Sequence, residues 1–182
     1  MMFGFKQNGK AESGRKQASI GVQLIASLLV CYPEIDTVTY EPEDTEITLD
    51  FVVKGSTVSH EEMEEFAKLL DESVQTYHDL HGGNPVWLAV DADIHGQRMA
   101  VHVKRQLSTM LRGELDLLAQ LFQDKFGDKL QADGHNIDVL EPEFSSLQSN
   151  LLDQMLDTAQ EQRIKERMIG MRDKDKVLVY NR

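Results

Sequence analysis

The chain has 182 residues, a formal net charge of −12, and a composition that is 41% hydrophobic and 27% charged. This length fits one domain, or one domain with an appendage, and the composition excludes a chain that is disordered throughout. The single cysteine, Cys31, excludes an internal disulfide and a zinc cluster built from cysteines. We expect Cys31 to be buried as a small apolar side chain.

The longest apolar run, residues 20–32, is shorter than the ~20 residues that a membrane-spanning helix needs. It also lies behind a polar segment, which is not typical of a signal peptide. We therefore expect a cytoplasmic protein that does not act at a membrane.

The charge is distributed unevenly along the chain. Residues 1–16 carry +3 and residues 163–182 carry +4, so the middle of the chain carries −19. Because an acidic body repels phosphate backbones, nucleic acid is an unlikely partner except through the two basic termini, where contact with nucleic acid or the ribosome is a weaker alternative. The basic ends can equally dock on the acidic body of the chain itself.

The first predicted elements are a tail and a helix. Residues 1–16 are polar and basic and predict a flexible tail. Residues 17–31 have helical spacing of apolar side chains over almost the whole helix surface, and Pro33 ends the pattern. Such a helix belongs either in a core or between subunits.

Residues 35–41 and 45–54 predict a hairpin with one apolar and one polar face. Its predicted core-facing pairs are Val38 with Leu49 and Tyr40 with Ile47. The polar face is expected to be open to solvent, as an antiparallel sheet allows.

Ser59 and Glu62 form a capping-box pattern, with Val58 and Met63 placed as its hydrophobic staple. This pattern predicts a helix start at residue 59. The glycines after His81 predict the helix end.

Residues 85–105 predict a second hairpin, because apolar and polar residues alternate along both halves. A type I′ turn at His95 and Gly96 gives a register in which all apolar residues share one face. The predicted pairs are Leu88 with Val103, Val90 with Val101 and Ala92 with Met99.

Two more helices follow in the prediction. The third runs from Leu107 to about Gly127. The fourth begins at Pro142, and its predicted apolar stripe consists of Phe144, Leu147, Leu151, Met155 and Ala159. The last residues favour either a hairpin about residues 173–176 or a helix through Gly170 followed by one strand.

Together these elements predict an α+β fold. We expect a two-layer sandwich whose antiparallel sheet is built from two ββα units in the order αββαββα, with an additional C-terminal helix and a short C-terminal strand or hairpin. The predicted division is a tail at 1–16, an α+β domain at 17–141 and a basic C-terminal appendage at 142–182. The element order is similar to that of small acidic secretion chaperones and roadblock-type folds, and this similarity is one of topology.

One candidate site lies on the second hairpin. Asp91, Asp93 and His95 point to one side of a strand, and His102 lies across from them, which is a set that can hold a divalent metal. A metal-dependent hydrolase, with water as the nucleophile, is therefore the alternative function. Against it, Arg98 faces Asp93 in the predicted register, and a solvated sheet face needs no function.

Other chemistry-bearing residues carry less weight. His78 and His81 lie one turn apart near a helix end, where we interpret them as favourable charges at the helix dipole. The sequence contains no GxSxG, HExxH, dinucleotide-binding or calcium-loop motif. These absences lower the expectation of an enzyme, and no cofactor is predicted.

Trp87 is the main indication of a binding surface. It is predicted on the polar face of its strand, opposite Lys104 for a cation–π contact, with Val52 nearby. A tryptophan on such a face suggests a surface covered by a subunit, a partner protein or the helix at 143–159. The leading hypothesis is therefore a non-catalytic intracellular adaptor or chaperone-like protein that forms a homodimer.

Overall fold

The computed structural model describes residues 9–55, 58–132, 142–174 and 176–181, with side chains described from residue 20 in the first helix and from residue 148 in the last. The fold is α+β, with helices on one side of a single antiparallel sheet. In chain order the elements are α1 (Gly9–Cys31), β1 (Thr37–Glu41), β2 (Glu46–Lys54), α2 (His60–Leu80), β3 (Leu88–His95), β4 (Arg98–Gln106), α3 (Arg112–Phe126), α4 (Pro142–Glu161), β5 (Met168–Asp173) and β6 (Lys176–Asn181).

The six strands are arranged in the order β3-β4-β2-β1-β5-β6. The predicted register of the first hairpin is confirmed, since Val38 faces Leu49 and Tyr40 faces Ile47. The C-terminal residues form a hairpin, and its strand β5 pairs with β1. The segment expected as an appendage therefore continues the same sheet.

The turn of the β3–β4 hairpin lies at Gly96 and Gln97, so the predicted turn at His95 and Gly96 was wrong. Each strand pairing moves by two residues, and Val90 faces Val103 rather than Val101. Gly96 has φ +63° and takes the first turn position, whereas Gln97 at the second is not among the residues with a positive φ, so the turn resembles type II′ rather than the predicted type I′. A shift by two leaves every side chain on its predicted face, because alternation has a period of two.

The core lies between the sheet and the helices. Phe51 of β2 stacks on Phe122 of α3 with ring centroids 3.7 Å apart, and Phe66 of α2 meets the edge of Phe122 at 5.0 Å. Each of these rings is almost fully buried, which is worth roughly 1.5–3 kcal/mol per side chain. These contacts hold α2 and α3 over the middle of the sheet.

Helix α1 packs in the core of this chain. Its residues Leu24, Ile25, Leu28 and Leu29 are at most 1% exposed. The helix crosses β5 at Gly170, where a Cβ would come within 2.2 Å of Ile25 Cγ2. It begins at Gly9, inside the range predicted as a flexible tail, because residues 9–16 include Ala, Glu, Lys and Arg and can extend a helix that is already nucleated. Residues 1–8 of the predicted tail lie outside the described residues.

Helix starts differ in how well the sequence predicted them. The capping box of α2 is confirmed, with Ser59 Oγ accepting from Glu62 N at 3.1 Å and Glu62 Oε2 accepting from Ser59 N at 2.9 Å. Helix α3 begins at Arg112 rather than Leu107, since residues 107–109 form a 3₁₀ turn.

Helix α4 begins at Pro142 as predicted, but its inner face differs from the predicted stripe. Leu152, Leu156 and Ala159 are buried, whereas Leu151 is 47% exposed. The face that α4 presents is set by its packing against α1, which periodicity within α4 alone does not specify. The side chains of Phe144 and Leu147 lie outside the described ones. No described helix has both the length and the apolar character needed to cross a membrane.

Candidate functional site

The sheet has one face that no described helix covers. Strand β2 alternates along its length between buried residues, which face the helices, and half-buried residues, which face away. We call the surface facing away the open face. On the four strands from β4 to β5 it includes Arg98, Ala100, His102, Lys104, Thr48, Asp50, Val52, Lys54, Thr37, Thr39, Ile169 and Met171.

The middle of the open face carries an imidazole held between two carboxylates. His102 Nδ1 lies 2.6 Å from Asp50 Oδ1 on β2, and His102 Nε2 lies 3.1 Å from Asp93 Oδ2 on β3. We call these three residues the His102 cluster. The pairing with Asp50 is possible because His102 and Asp50 are directly opposite in the β2–β4 register.

Polar side chains surround the His102 cluster in a shallow depression. Lys104 Nζ lies 3.3 Å from Asp91 Oδ2, and Thr39 and Thr48 line the same depression. The depression therefore combines carboxylates, an ammonium group, an imidazole and hydroxyls, which are groups that orient a polar ligand or a polar protein surface.

The His102 cluster shifts the titration of its members. Burial disfavours the charged imidazole, but the hydrogen bonds and negative charges of Asp50 and Asp93 outweigh this effect and raise the pKa of His102. Burial also raises the pKa of Asp50, although the neighbouring His102 opposes that rise. The cluster therefore retains a proton more readily than its isolated groups do.

The four predicted metal ligands do not converge. Asp91 is turned to Lys104, both ring nitrogens of His102 are bonded to carboxylates, and His95 is exposed and faces Arg98. The predicted Asp93–Arg98 pairing is wrong because of the shifted register, in which Asp93 faces Ala100. Among the described residues, no group of three or more His, Cys, Asp or Glu side chains is arranged to hold a metal ion.

The predicted interaction residues Trp87, Lys104 and Val52 are not neighbours. Trp87 is 46% exposed and immediately precedes β3, whereas Lys104 faces Ala89 and pairs with Asp91. Val52 faces Ala100, four register positions from Lys104, which corresponds to about 13 Å along the strands. The predicted opposition of Trp87 and Lys104 was therefore wrong. Helix α4, the alternative cover for Trp87, packs against α1 and the turn at 107–109.

The carbonyl of Trp87 is held by a buried cation. Arg105 Nη1 donates to Trp87 O at 2.7 Å, and Arg105 itself is fully buried. The position of the exposed indole on the surface therefore depends on a contact made inside the core.

An apolar part of the open face was not predicted. Met171 is 37% exposed and Tyr180 is 53% exposed, with the half-buried Leu178 and Ile169 facing them across the β5–β6 hairpin. We call these four residues the apolar corner. The β-propensity of residues 177–180 indicated a strand, but it did not indicate that β5 joins β1 and places these side chains on the open face.

A buried ionic network was also missed. His78 Nε2 lies 2.7 Å from Glu114 Oε2, and Arg105 donates through Nε to Glu114 Oε1 and through Nη2 to Glu114 Oε2. We call these three residues the buried triad. His78 does lie in the last turn of α2, but its position near the helix end did not indicate this buried contact. The sequence did contain a signal for the buried triad. Arg105 is the next position in the alternating series Met99, Val101 and Val103 of β4, whose other members are all apolar. His81, in contrast, lies exposed at the helix end, with Nδ1 2.7 Å from Tyr77 O.

A comparison of the chain with models of protein families, with curated proteins and with solved structures found no match. The function is therefore argued from the residues themselves.

Proposed function

We propose that this chain is a non-catalytic intracellular adaptor or chaperone-like protein that forms a homodimer through the open face of its sheet. The observation that carries the proposal is a six-stranded sheet with helices on one side and, in the described residues, an uncovered second face that includes exposed apolar side chains.

The apolar corner supports a protein partner. Single exposed apolar residues are common on protein surfaces, but contiguous apolar patches mark contact surfaces. Met171 and Tyr180 are adjacent on the open face, together with Ile169 and Leu178. Tyrosine and methionine are also enriched in the cores of protein interfaces.

Charge favours the apolar corner as the centre of contact. The middle of the open face contains Asp50, Asp91 and Asp93, so two copies that met there would place like charges against each other. Two copies that meet corner to corner avoid this repulsion. They also form a self-complementary two-fold contact, which is the commonest arrangement of soluble homo-oligomers.

Sedimentation velocity of the full chain at micromolar concentration tests the proposal. The double variant Met171→Glu/Tyr180→Glu places two charges in the apolar corner and is expected to sediment as a monomer. The matched control, Leu69→Glu/Leu80→Glu, adds the same charge at exposed apolar positions on α2 and is expected to remain a dimer.

Two results would contradict the proposal in different ways. A wild-type chain that is monomeric over the whole concentration range would remove the homodimer. A dimer that survives the substitutions in the apolar corner but is lost in the α2 control would place the contact on the helix layer instead.

A further inference from the structure

A second surface that could bind a ligand lies at one end of the sheet, where β2 ends and β4 begins. A pocket there is lined by the cationic side chains of Lys54, Arg98, Arg172 and Lys174, together with Pro33, Asp36, Gln131 and Ala132. We call it the basic pocket. This concentration of positive charge is unusual in a chain whose formal net charge is −12.

Two of the cations are placed directly against each other. Lys54 and Arg98 are opposite residues in the β2–β4 register, and like charges opposite each other destabilise a sheet. Within the parts of the chain that the structure describes, neither side chain forms an ion pair. Their repulsion is therefore not relieved by a described residue of this chain.

The third cation, Arg172, is held in place by backbone carbonyls. The Arg172 guanidinium donates to the carbonyls of Leu29, Tyr32 and Ile35, at 2.8 Å for Tyr32 and 3.1 Å for Ile35. These contacts hold Arg172 over the C-terminal end of α1. These contacts orient the guanidinium where it lines the pocket.

The fourth cation is held in an unusual backbone conformation. Lys174 follows β5 with φ +55°, in the left-handed region that glycine and asparagine usually occupy. The two-residue turn between β5 and β6 requires a positive φ at its first position, which accounts for this conformation. The turn places Lys174 in the lining of the basic pocket.

Asp36, the acidic residue in the lining of the basic pocket, already accepts hydrogen bonds from two neighbouring side chains. Asp36 Oδ1 accepts from Gln131 Nε2 at 3.0 Å, and Asp36 Oδ2 accepts from Thr37 Oγ1 at 3.1 Å. No ion pair between Asp36 and Lys54, Arg98 or Lys174 is found among the described residues. The described lining of the basic pocket therefore contains four cationic side chains and one carboxylate.

We propose that the basic pocket binds an oxyanion of the phosphate type, either as the free ion or as a phosphate group on a small molecule. A doubly charged oxyanion accepts hydrogen bonds on several sides, which suits cations that converge from β2, β4 and the β5–β6 hairpin. The planar guanidinium of Arg98 matches two oxygens of such a group. This proposal does not rest on the homodimer, because no residue of the apolar corner lines the basic pocket.

Calorimetric titration of the full chain with inorganic phosphate at low ionic strength tests the proposal, with sodium chloride of equal ionic strength as the blank. We expect saturable binding at one site per chain. A parallel titration with phosphoserine distinguishes the sources, since binding of phosphoserine at least as tight as that of inorganic phosphate indicates a phosphate group on a carrier, and weaker binding indicates the free ion.

A matched pair of double variants locates the site. Lys54→Gln/Arg98→Gln is expected to weaken phosphate binding by at least about tenfold, because two charge-assisted hydrogen bonds are lost. Lys125→Gln/Lys165→Gln removes the same charge at exposed positions outside the pocket and is expected to leave binding unchanged.

Thermal unfolding in phosphate-free buffer shows that a loss of binding is not a loss of folding. Since Lys54→Gln/Arg98→Gln removes a repulsive pair, its unfolding temperature is expected to stay at or above that of the wild type. Absence of saturable binding in the millimolar range, or equal weakening in both double variants, would overturn the proposal.

Discussion

Two histidines of this protein are held by carboxylates at nearly the same distance but in different surroundings. His78 lies 2.7 Å from Glu114 in the core, and His102 lies 2.6 Å from Asp50 on the open face. The Glu114 side chain is fully buried, whereas the side chains of His102 and Asp50 are 24% and 21% exposed. The two histidine–carboxylate contacts therefore differ in strength. Water screens the pair of His102 and Asp50, whereas it is excluded from the pair of His78 and Glu114.

The three side chains of the buried triad contact one another through hydrogen bonds. Arg105 supplies the positive charge for Glu114 and also donates to the Trp87 carbonyl and to Thr109. Among the described residues, every buried side-chain nitrogen or oxygen has a hydrogen-bond partner. Removing Glu114 or Arg105 from this network leaves the other as a buried charge without compensation, whereas water can replace a lost partner on the open face.

The largest expected effect follows from Glu114→Ala. This change leaves the buried guanidinium of Arg105 without its carboxylate, and we expect a loss of about 3–5 kcal/mol in the free energy of unfolding. Urea unfolding followed by circular dichroism measures it. The matched change on the open face, Asp93→Ala, is expected to cost less than about 1 kcal/mol. Equal losses would show that the two networks do not differ as the structure indicates.

A smaller effect is expected for His78→Phe, which keeps an aromatic ring but removes the hydrogen bond to Glu114. Glu114 retains both of its contacts with Arg105, so no charge is left unpaired. We expect a loss of about 1–2 kcal/mol, the range of one buried hydrogen bond. A loss as large as that of Glu114→Ala would mean that the imidazole, and not the guanidinium, compensates the carboxylate.

The pH dependence of stability distinguishes the His102 cluster. Because the pKa of His102 is raised, the folded chain binds this proton more tightly than the unfolded chain does. Its contribution is fully present below the ordinary imidazole pKa of about 6.5 and is lost as the pH rises through the higher folded value. We expect the difference in unfolding free energy between the wild type and His102→Gln to shrink between about pH 6 and pH 8, by less than about 1 kcal/mol. A difference that grows with pH would reverse the assigned sign.

The smallest effect on stability, but a clear effect on titration, is expected for Asp50→Asn. The asparagine keeps the shape of the side chain and removes the negative charge that raises the pKa of His102. We expect the pKa of His102 to fall, as measured by NMR titration of its ring protons, with a change in stability below about 1 kcal/mol. Asp36→Asn serves as a control, because Asp36 interacts with Asp50 but not with His102 in the structure. An unchanged pKa in Asp50→Asn would contradict the geometry of the cluster.

Local patterns accounted for the parts of the fold that the sequence predicted. The capping box at Ser59, the first hairpin and the face of each residue in β3 and β4 depend on neighbours within a few residues. The register of β3 and β4 was missed by two residues, because a shift of two preserves the alternation from which it was predicted.

Non-local pairings account for what was missed. Asp50 belongs to the His102 cluster although 52 residues separate it from His102, and the buried triad joins residues from α2, β4 and α3. Likewise, the apolar corner exists on the open face only because β5 pairs with β1, more than a hundred residues earlier. No periodicity within a single segment contains this information.

The contact between Arg105 and the Trp87 carbonyl has a practical consequence. The sequence contains a single tryptophan, so its fluorescence comes from one indole with a known anchor. Because β3 and the apolar corner lie at opposite edges of the sheet, a dimer formed at the apolar corner is expected to leave the emission unchanged, and a shift on self-association would report contact near β3 instead. A shift on loss of Glu114 reports movement of the guanidinium that holds the backbone at Trp87. One intrinsic fluorophore thus allows an experimenter to follow both the surface and the interior of this chain without adding a label.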